Sequence, residues 1–438
     1  MRVSVIGCGY LGAVHAAAMV SLGHDVVGID TDREKIEALA AGRAPFYEPG
    51  LPELLVAATA TGRLTFSTDL GDVRGSDVHF VCVGTPQQKD SFAADLTFVD
   101  GAFTALAAHL ADGDIVVGKS TVPVGTAARL AADLTANGPV AHLVWNPEFL
   151  REGFAVEDTL HPDRLVYGVG EGAGGETAAA VLDEVYAPIL VSGIPRMVTD
   201  YATAELVKVA ANSFLATKIS FINAMAELCE VAGGDVTQLA DAIGLDPRIG
   251  RRFLNAGLGF GGGCLPKDIR AFMARAEELH AQPAVSFLKE VDSINMRRRD
   301  RMVDLTLEAL GGRPIAGARV AILGAAFKPE SDDVRDSPAL DVAMKLDARS
   351  AEVIVTDPQA IENARQKASQ LKFAHSPEEA VQGADVVLLL TEWAEYRALD
   401  PATFGQGMRH RRIVDGRNAL DPGAWRAAGW TYRALGRP

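Results

Sequence analysis

The sequence predicts an α/β fold with two parallel sheets, and three features of the chain support this prediction. The N-terminal residues combine a short apolar strand, a glycine-rich turn, an alanine-rich helix and a second strand that ends in an acid. Apolar strands then alternate with helical stretches, and a second series of strands starts after Gly311. Between the two series, residues 202–231 form a long helical pattern without proline or glycine. Such alternation is typical of parallel strands connected by helices.

The first predicted strand is followed at once by the run Gly7-Cys8-Gly9-Tyr10-Leu11-Gly12. With a helix and a second strand ending at Asp30, it makes a G-x-G-x-x-G motif in the context of a dinucleotide-binding unit. Gly7 permits the tight turn, Gly9 lets backbone approach a pyrophosphate, and Gly12 lets helix and strand pack closely. Asp30 can bond both ribose hydroxyls and would repel a 2′-phosphate, which favours NAD over NADP. The alternative is a glycine-rich turn that binds no ligand.

Further apolar strands are predicted over Val78–Val83, Ile115–Gly118 and His142–Trp145, and then over Arg319–Gly324, Glu352–Val355, Asp385–Leu390 and Arg412–Asp415. Polar or turn residues follow the first three, at the edge where open parallel sheets bind ligands. The second series lacks the glycine fingerprint, so we expect it to bind something other than a whole dinucleotide. The predicted fold is therefore two Rossmann-like doubly wound parallel-sheet domains joined by a long central helix. The expected domains are residues 1–200, 201–300 and 313–438.

Composition excludes several classes of partner. The 438 residues carry a formal net charge of −15, which argues against nucleic acid and anionic membranes. No apolar run approaches the length of a membrane span, and the first strand leaves no room for a signal peptide. The four cysteines have neither metal-ligand spacing nor a disulfide pattern. We therefore expect a cytoplasmic protein without a bound metal.

The segment from Gly259 to Asp268 delivers a single cysteine, Cys264, to the start of a predicted helix. Pro266 suits the first helical turn, and the N–H groups there favour a thiolate at Cys264. Asp268 follows one turn later, so the pair is a candidate nucleophile with a carboxylate beside it. The alternative is a buried cysteine in a glycine-rich turn, with Asp268 capping the helix.

Lys208 and Asn212 lie four residues apart on the long predicted helix, so they share one of its faces. The alternative for Lys208 is a solvated lysine on an amphipathic helix. A helix of this length also suits a subunit interface.

Nine motifs, in order from near one end of the chain to the other, carry a family resemblance: GCGYLG, VCVGTP, KSTVPVGT, NPEFLREG, AELVKVAANSFLATKISFIN, GFGGGCLPKD, GAAFKPESDDVRDSP, TEWAEY and VDGRNAL. The chain resembles the UDP-glucose 6-dehydrogenase family of nucleotide-sugar dehydrogenases. The resemblance implies a four-electron oxidation of the sugar C6 alcohol to a carboxylate, with two NAD reduced at one active site. It also implies an NAD-binding N-terminal domain, a central helical dimerisation domain, a nucleotide-sugar-binding C-terminal domain and a homodimer or higher homo-oligomer.

The resemblance also assigns the catalytic residues. Cys264 would attack the aldehyde to give a thiohemiacetal and then a thioester, while Lys208 and Asn212 stabilise negative charge on oxygen. Asp268, Glu152 and Thr121 would handle protons and water. Which of these three is the base in each step stays open.

The resemblance places the nucleotide sugar and NAD on two overlapping sets of residues. The substrate set is Glu148, Phe149, Leu150, Arg151, Glu152, Lys208, Asn212, Arg248, Phe253, Leu254, Asn255, Ala256, Gly257, Gly261 and Lys328. The NAD set is Gly7, Gly9, Tyr10, Leu11, Gly12, Asp30, Lys35, Thr85, Thr121, Glu152, Lys267 and Arg335. Arg248 is expected to act across a dimer interface, and Lys328 and Arg335 to line a cleft between the terminal domains. The alternative for Lys328 and Arg335 is surface ion pairing.

Two positions depart from the family pattern. Gly263 replaces the usual serine before the cysteine, which is expected to loosen the turn, and Cys8 is interpreted as a packing residue. UDP-glucose is the first choice of substrate and dTDP-glucose the second, because one methyl group separates uracil from thymine. GDP-mannose is third, because Gly257-Leu258-Gly259 resembles the UDP-glucose pattern more closely. Two alternatives of other classes stay open: a two-electron hydroxyacid or sugar dehydrogenase, and a non-catalytic NAD or nucleotide-sugar sensor.

Overall fold

A computed structural model describes residues 1–137 and 140–438, without the side chain of residue 137. Packing divides the described chain into two compact units. Unit 1 comprises Met1–Ala211 with Arg270–His280, and unit 2 comprises Asn212–Ile269 with Ala281–Pro438. The division into three domains stays a prediction.

Unit 1 is built on an eight-stranded sheet of order β3-β2-β1-β4-β5-β6-β7-β8, in which only the β6–β7 pair is antiparallel. Its strands are β1 (Arg2–Ile6), β2 (Asp25–Ile29), β3 (Leu64–Ser67), β4 (Val78–Val81), β5 (Ile115–Gly118), β6 (His142–Trp145), β7 (Leu165–Val169) and β8 (Arg196–Asp200). Its helices are α1 (Tyr10–Ser21), α2 (Arg33–Ala40), α3 (Leu51–Ala60), α4 (Thr97–Ala107), α5 (Thr126–Asn137), α6 (Ala155–Leu160), α7 (Ala173–Val185) and α8 (Ala187–Val191), with a 3-10 turn over Leu70–Val73.

The strands of unit 1 are buried on both faces, as parallel strands covered by helices must be. Val3 and Val5 of β1 belong to one apolar cluster, whereas Ile6 belongs to the other. The same alternation divides Ile115 and Val117 of β5 from Val116. Successive side chains of a strand point to opposite faces, so the two clusters lie on opposite sides of the sheet.

Unit 2 contains a six-stranded, fully parallel sheet of order β11-β10-β9-β12-β13-β14. Two long helices, α9 (Tyr201–Ala232) and α11 (Leu265–Glu278), belong partly to each unit. The strands are β9 (Arg319–Leu323), β10 (Glu352–Thr356), β11 (Lys372–Phe373), β12 (Val386–Leu389), β13 (Arg412–Asp415) and β14 (Thr431–Ala434). The other helices are α10 (Val236–Gly244), α12 (Gln282–Val285), α13 (Phe287–Ala309), α14 (Pro338–Asp347), α15 (Ile361–Lys367), α16 (Pro377–Ala380), α17 (Ala394–Arg397) and α18 (Pro422–Ala427).

The predicted fold class is confirmed. The first six strands of the unit 1 sheet follow the same order as the six strands of the unit 2 sheet. In each sheet the strand order therefore reverses beside the first strand, where doubly wound sheets bind ligands. The reversal lies between β1 and β4 in unit 1 and between β9 and β12 in unit 2. The predicted central helix over residues 202–231 is α9, one residue longer at each end.

Candidate active site

The glycine run after β1 has the geometry that its motif predicts. Gly7 has a φ of +90° and donates its N–H to the Ile29 carbonyl at 2.8 Å, which turns the chain sharply at the end of β1. A Cβ at Gly12 would lie 1.8 Å from the Gly7 carbonyl oxygen, so only glycine lets α1 pack this closely. At Gly9 the space around a Cβ is open, and no side chain caps the helix that begins at Tyr10. The N-terminus of α1 therefore fits a phosphate.

Asp30 lies at the end of β2, beside this turn. Its Oδ2 accepts the Cys8 N–H at 2.8 Å and the Lys35 ammonium at 2.9 Å, and its Oδ1 accepts the Asp32 N–H at 3.0 Å. Burial opposes its ionisation, but these hydrogen bonds outweigh burial and hold the Asp30 pKa below the ordinary value. Asp30 is thus fixed as a carboxylate whose side chain is 11% exposed. Cys8 is fully buried, which confirms its interpretation as a packing residue.

The corresponding acid of unit 2 is Asp357, at the end of β10. Its Oδ2 accepts the N–H groups of Ala325 and Ala326 and the indole N–H of Trp393, at 2.7 to 3.1 Å. Its Oδ1 accepts two further backbone N–H groups, and the residue is 2% exposed. Protein donors saturate this carboxylate, which agrees with the expectation that the second sheet does not hold a whole dinucleotide.

The loops that follow β4 and β5 are tied to each other and to α9. Thr85 donates its hydroxyl to the Thr121 carbonyl at 2.8 Å, so two residues of the predicted NAD set are in contact. Glu205 of α9 is 1% exposed and accepts the N–H groups of Gly125 and Ala127, each at 2.7 Å. Glu205 therefore caps α5 and anchors the loop that carries Thr121. It lies in a quoted motif, but its role was not predicted.

The segment Asn146–Gly153 after β6 carries the predicted substrate residues of unit 1. Glu148 accepts the Lys208 ammonium on Oε1 at 3.1 Å and the Leu150 N–H on Oε2 at 2.8 Å. The Lys208 ammonium also lies 5.5 Å from the centre of the Phe149 ring. Lys208 is 4% exposed, so the alternative of a solvated lysine is wrong.

The end of this segment is held by residues that the sequence did not single out. The buried Glu48 accepts the N–H groups of Gly153 and Ala155 at 2.7 and 2.8 Å. These bonds fix the backbone just after Glu152, which is partly exposed. Arg151, predicted to contact substrate, directs its guanidinium to Asp158 with a shortest distance of 2.6 Å.

The cysteine segment of unit 2 brings Asn212, Asp268 and Cys264 to one place. Helix α11 begins at Leu265, directly after Cys264, and the Asp268 N–H donates to the Cys264 carbonyl at 2.9 Å. Asp268 is 1% exposed; it accepts the Asn212 amide on Oδ2 at 2.6 Å and the Lys267 ammonium on Oδ1 at 2.7 Å. The carboxylate is therefore fixed between an amide and an ammonium, one turn from the cysteine.

Cys264 is exposed, whereas the other three cysteines are buried. The alternative of a buried packing cysteine is therefore wrong for Cys264. Burial raises the pKa of the Cys82 thiol to about 12 and also raises the pKa values of Cys8 and Cys229. Thiol chemistry in this chain is consequently expected at Cys264.

Side chains outside the predicted set anchor the glycine run before the cysteine. Asn295, fully buried on α13, accepts the Phe260 N–H at 2.7 Å and donates to the Phe260 carbonyl at 3.0 Å. Arg417 donates to the Gly259 carbonyl at 3.0 Å. Gly259 has a φ of +90°, and a Cβ there would lie 2.1 Å from the Asn295 Oδ1. The run therefore packs against α13 through backbone that only glycine allows at this point.

Gly263, by contrast, has no left-handed backbone, so its φ does not itself require glycine. The expectation that glycine loosens this turn stays a prediction. A Cβ at this position would lie 2.3 Å from the Cζ of Arg335. Arg335 is aligned by the buried Asp333, which accepts its Nη2 at 2.7 Å. The space of a serine side chain is thus filled by a guanidinium next to the cysteine. The ion pair expected as the alternative for Arg335 is present, with the arginine side chain 56% exposed.

The remaining predicted substrate residues of unit 2 differ in exposure. Leu254 and Ala256 pack in an apolar cluster with α9 and α10, so their side chains are not accessible to a ligand. The Gly257 N–H donates to the buried Asn223 at 2.8 Å. Partly or fully exposed positions are Phe253, Asn255 and Lys328. Arg248 pairs with Asp246 and its side chain is 88% exposed, so the described chain does not enclose it.

The described residues contain neither a candidate metal centre nor a helix suited to span a membrane. Residues 1–137 and 140–438 contain no cluster of three or more His, Cys, Asp or Glu side chains arranged for a metal ion. In the same residues, no helix has the length and apolar character needed to cross a membrane.

Comparison with known proteins decides the family. A UDP-glucose 6-dehydrogenase of Rhizobium meliloti (strain 1021) is 43% identical over 441 residues, covering 100% of both chains. The chain belongs to the UDP-glucose/GDP-mannose dehydrogenase family. Models of this family match its NAD-binding domain over residues 1–190, its central domain over 202–297 and its UDP-binding domain over 321–422. The predictions of NAD as cofactor and of a nucleotide-sugar ligand are thereby confirmed.

Solved structures of the family resemble the chain along its full length. A UDP-glucose dehydrogenase of Pyrobaculum islandicum is 40% identical, with a TM-score of 0.90 over 100% of this chain and 98% of the other. A UDP-D-ManNAc dehydrogenase of Pyrococcus horikoshii is 29% identical, with a TM-score of 0.87 over 100% and 99%. Both relatives oxidise nucleotide sugars by name, but they differ in the sugar.

Proposed function

We propose that this protein oxidises UDP-glucose at C6 to UDP-glucuronate and reduces two NAD for each sugar. The identity of 43% to a UDP-glucose 6-dehydrogenase over the whole chain supports the substrate. The observation that carries the mechanism is the exposed Cys264 at the start of α11, with Asp268 and Asn212 fixed beside it. A two-electron dehydrogenase does not need this cysteine, and a sensor does not need the buried polar cluster.

The turn after β1 fits NAD. The open space at Gly9 and the uncapped start of α1 would receive the pyrophosphate, and the fixed carboxylate of Asp30 would receive the ribose hydroxyls. When bound, NAD supplies a hydride acceptor at each of the two oxidations. Thr85 and Thr121, joined by a hydrogen bond, and Glu152 complete the proposed NAD residues of unit 1.

The first oxidation converts the C6 alcohol to an aldehyde: C6 loses a hydride and its hydroxyl loses a proton. Negative charge builds on the oxygen as the proton leaves, and positioned donors stabilise it. Lys208 and Asn212 provide them from α9, on which they lie one turn apart. The Asn212 amide is oriented by Asp268, to which one of its N–H groups donates. Asp268, Glu152 and Thr121 are the groups proposed to accept protons or orient water.

The second oxidation proceeds on Cys264. Its thiolate adds to the aldehyde carbon, a C–S bond forms, and the carbonyl π electrons move onto oxygen. This adduct loses a hydride from C6 and becomes a thioester. Water then attacks the thioester carbonyl, the C–S bond breaks, and the carboxylate and the Cys264 thiolate are released with two protons. The covalent link keeps the aldehyde bound between the two oxidations. An exposed nucleophilic thiol also requires reducing conditions, which supports a cytoplasmic location.

The experiment that tests this function is the number of NADH formed per molecule of limiting UDP-glucose. Two NADH and a uronic acid are expected. One NADH and a carbonyl product would favour the two-electron dehydrogenase, and no NADH with any nucleotide sugar would favour the sensor. Parallel reactions with dTDP-glucose, GDP-mannose and UDP-N-acetylmannosamine measure substrate preference, and UDP-glucose is expected to have the highest kcat/KM.

We also propose a homodimer formed through one face of α9 in unit 2. This α9 face consists of Phe214, Phe221, Leu228 and Val231, which are 67%, 49%, 60% and 90% exposed. Their spacing of seven, seven and three residues keeps them on one side of the helix. A row of exposed apolar side chains on a long helix suits a self-complementary interface with a second copy.

Light scattering after size-exclusion chromatography tests the dimer. The double substitution Phe214→Glu with Leu228→Glu is expected to convert a dimer into a monomer, because it buries two carboxylates in an apolar contact. Val56→Glu is the matched control, since Val56 is 58% exposed on a different helix, α3 of unit 1. A monomeric wild-type protein, or a double variant that stays dimeric, would contradict the proposal.

A further inference from the structure

Unit 1 contains a buried lysine, Lys119, to which the reaction above assigns no role. It follows the last residue of β5 and is 7% exposed. Its ammonium donates to the Asn146 side-chain carbonyl at 3.0 Å and to the Tyr186 hydroxyl at 3.5 Å. The same nitrogen lies 5.9 Å from the centre of the Phe80 ring and 6.0 Å from that of Tyr186. The cation is thus enclosed by an amide, a phenol and two aromatic faces.

Lys119 has no ion-pair partner: within the described part of the chain, its ammonium has no carboxylate within 4.0 Å. Burial lowers its pKa to about 8, although Cys82 and Glu148 act in the opposite direction. Repulsion by Lys208 also lowers the Lys119 pKa. Lys119 in turn contributes to the lowered pKa of the buried His15. A buried cation without a paired anion destabilises a fold, so Lys119 is not explained by stability.

Nor is Lys119 needed to satisfy its neighbours. The Tyr186 hydroxyl already donates to the Asn146 carbonyl oxygen at 2.9 Å, and the Asn146 amide donates to the Val166 carbonyl at 2.9 Å. Both partners therefore keep hydrogen bonds when the ammonium is removed. A purely structural brace at this position would be redundant.

The location of Lys119 suggests a role in the reaction. Asn146 begins the segment that carries Glu148, and the Glu148 carboxylate pairs with the Lys208 ammonium at 3.1 Å. Both charges also influence the Lys119 pKa through space: Glu148, in this segment, raises it, and Lys208, on α9, lowers it. We infer that Lys119 is a positioning residue, whose buried charge sets the electrostatic balance of the Glu148–Lys208 pair. This inference rests on the proposed function.

The sign of the stability effect follows from the lowered pKa. Between pH values of about 8 and the ordinary lysine pKa, Lys119 binds a proton in the unfolded chain but not in the folded chain. The free energy of unfolding therefore rises with pH across this range. Below about 8 the full destabilisation by the buried charge is present. Lys119→Met is therefore expected to raise the unfolding temperature below that pH and to lose this advantage above it. If Lys119 stabilised the fold, Lys119→Met would instead lower the unfolding temperature below this pH.

The test measures activity and stability together. Lys119→Met is expected to lower kcat about tenfold or more, the size of effect seen for groups that orient catalytic side chains, while its unfolding temperature stays equal or rises. Wild-type kcat is expected to fall as pH rises through about 8, where Lys119 loses its proton. This falling limb should be absent in Lys119→Met and move to higher pH in Lys119→Arg, which keeps the charge.

Two further variants complete the experiment. Lys119→Gln removes the charge but keeps a hydrogen-bonding side chain, so it tests the inference if the methionine variant does not fold. Tyr186→Phe is the matched control, because it removes the neighbouring hydroxyl and leaves the ammonium; its pH profile should equal that of the wild type. A neutral variant with unchanged kcat, or a lower unfolding temperature with an unchanged falling limb, would overturn the inference. If wild-type protein forms no NADH from UDP-glucose, the proposed function is wrong, and the inference about Lys119 is then wrong as well.

Discussion

Replacing Glu205 by glutamine tests how the loop that carries Thr121 is held. The buried carboxylate accepts the Gly125 N–H on Oε2 and the Ala127 N–H on Oε1, each at 2.7 Å. Glutamine keeps the shape but replaces one acceptor oxygen by an NH₂ group. One backbone N–H at the start of α5 then faces another donor inside the protein.

The size of the effect follows from these contacts. A buried N–H left without an acceptor costs ~1–3 kcal/mol. Part of this loss in stability is offset, because burial raises the Glu205 pKa and glutamine carries no charge to desolvate. The expected net loss is ~1–2 kcal/mol, or ~2–4 °C in unfolding temperature for each kcal/mol in a unit of this size. Glu205→Ala loses both acceptors and should be less stable than Glu205→Gln.

The pH dependence has a definite sign. Because the folded pKa of Glu205 is raised, wild-type stability falls as pH rises from the ordinary glutamate value through the raised one. Glutamine lacks this dependence, so its deficit should be largest at acid pH and narrow as pH rises. Urea unfolding followed by circular dichroism measures both effects, with the exposed Glu53→Gln as control. Equal stability of Glu205→Gln and wild type across pH would refute the reasoning.

Three other substitutions test the remaining parts of the site. Asp30→Ala should raise the Kd of NAD by ~10–100-fold, because a charged hydrogen bond contributes ~1.5–3 kcal/mol. It should also reduce the preference for NAD over NADP. A binding titration in which the ratio of the two Kd values is unchanged would count against this assignment. Asp268→Asn should lower kcat by ~100-fold or more, since the carboxylate that accepts from Asn212 and Lys267 is lost, and a kcat close to wild type would contradict it. Gly263→Ser should displace the Arg335 guanidinium, which a Cβ would approach to 2.3 Å, yet leave the free energy of unfolding within ~0.5 kcal/mol; a crystal structure with Arg335 unmoved would disprove this.

The fold could be predicted where local patterns match the final structure. The apolar runs that became β5, β6, β9, β10, β12 and β13 were located to within a residue at each end, because buried parallel strands are continuously apolar. Helix α9 was found from its length without proline or glycine. The strands that were not predicted are β3, β7, β8, β11 and β14. In β8, Met197 and Val198 are exposed, so the strand has no buried pattern to reveal it.

The site could be predicted only in part, for a similar reason. The glycine motif could be predicted because local backbone geometry sets the spacing of Gly7, Gly12 and Asp30. The structure has the predicted tight turn and close helix packing. Glu48 and Asn295 act on backbone far away in the sequence, and a single sequence does not indicate such partners. The close approach of the Arg335 guanidinium to Gly263 could not be predicted, because the two residues lie far apart in the sequence.

The central claim is that Cys264 carries the second oxidation as a covalent adduct. The most direct measurement is product analysis by mass spectrometry for Cys264→Ala, supplied with UDP-glucose and excess NAD. Alanine at an exposed position leaves the buried Asn212–Asp268 pair intact, so the first oxidation can still occur. The expected product is at most the C6 aldehyde or its hydrate, with no more than one NADH per sugar. UDP-glucuronate with two NADH per sugar from this variant would contradict the covalent mechanism.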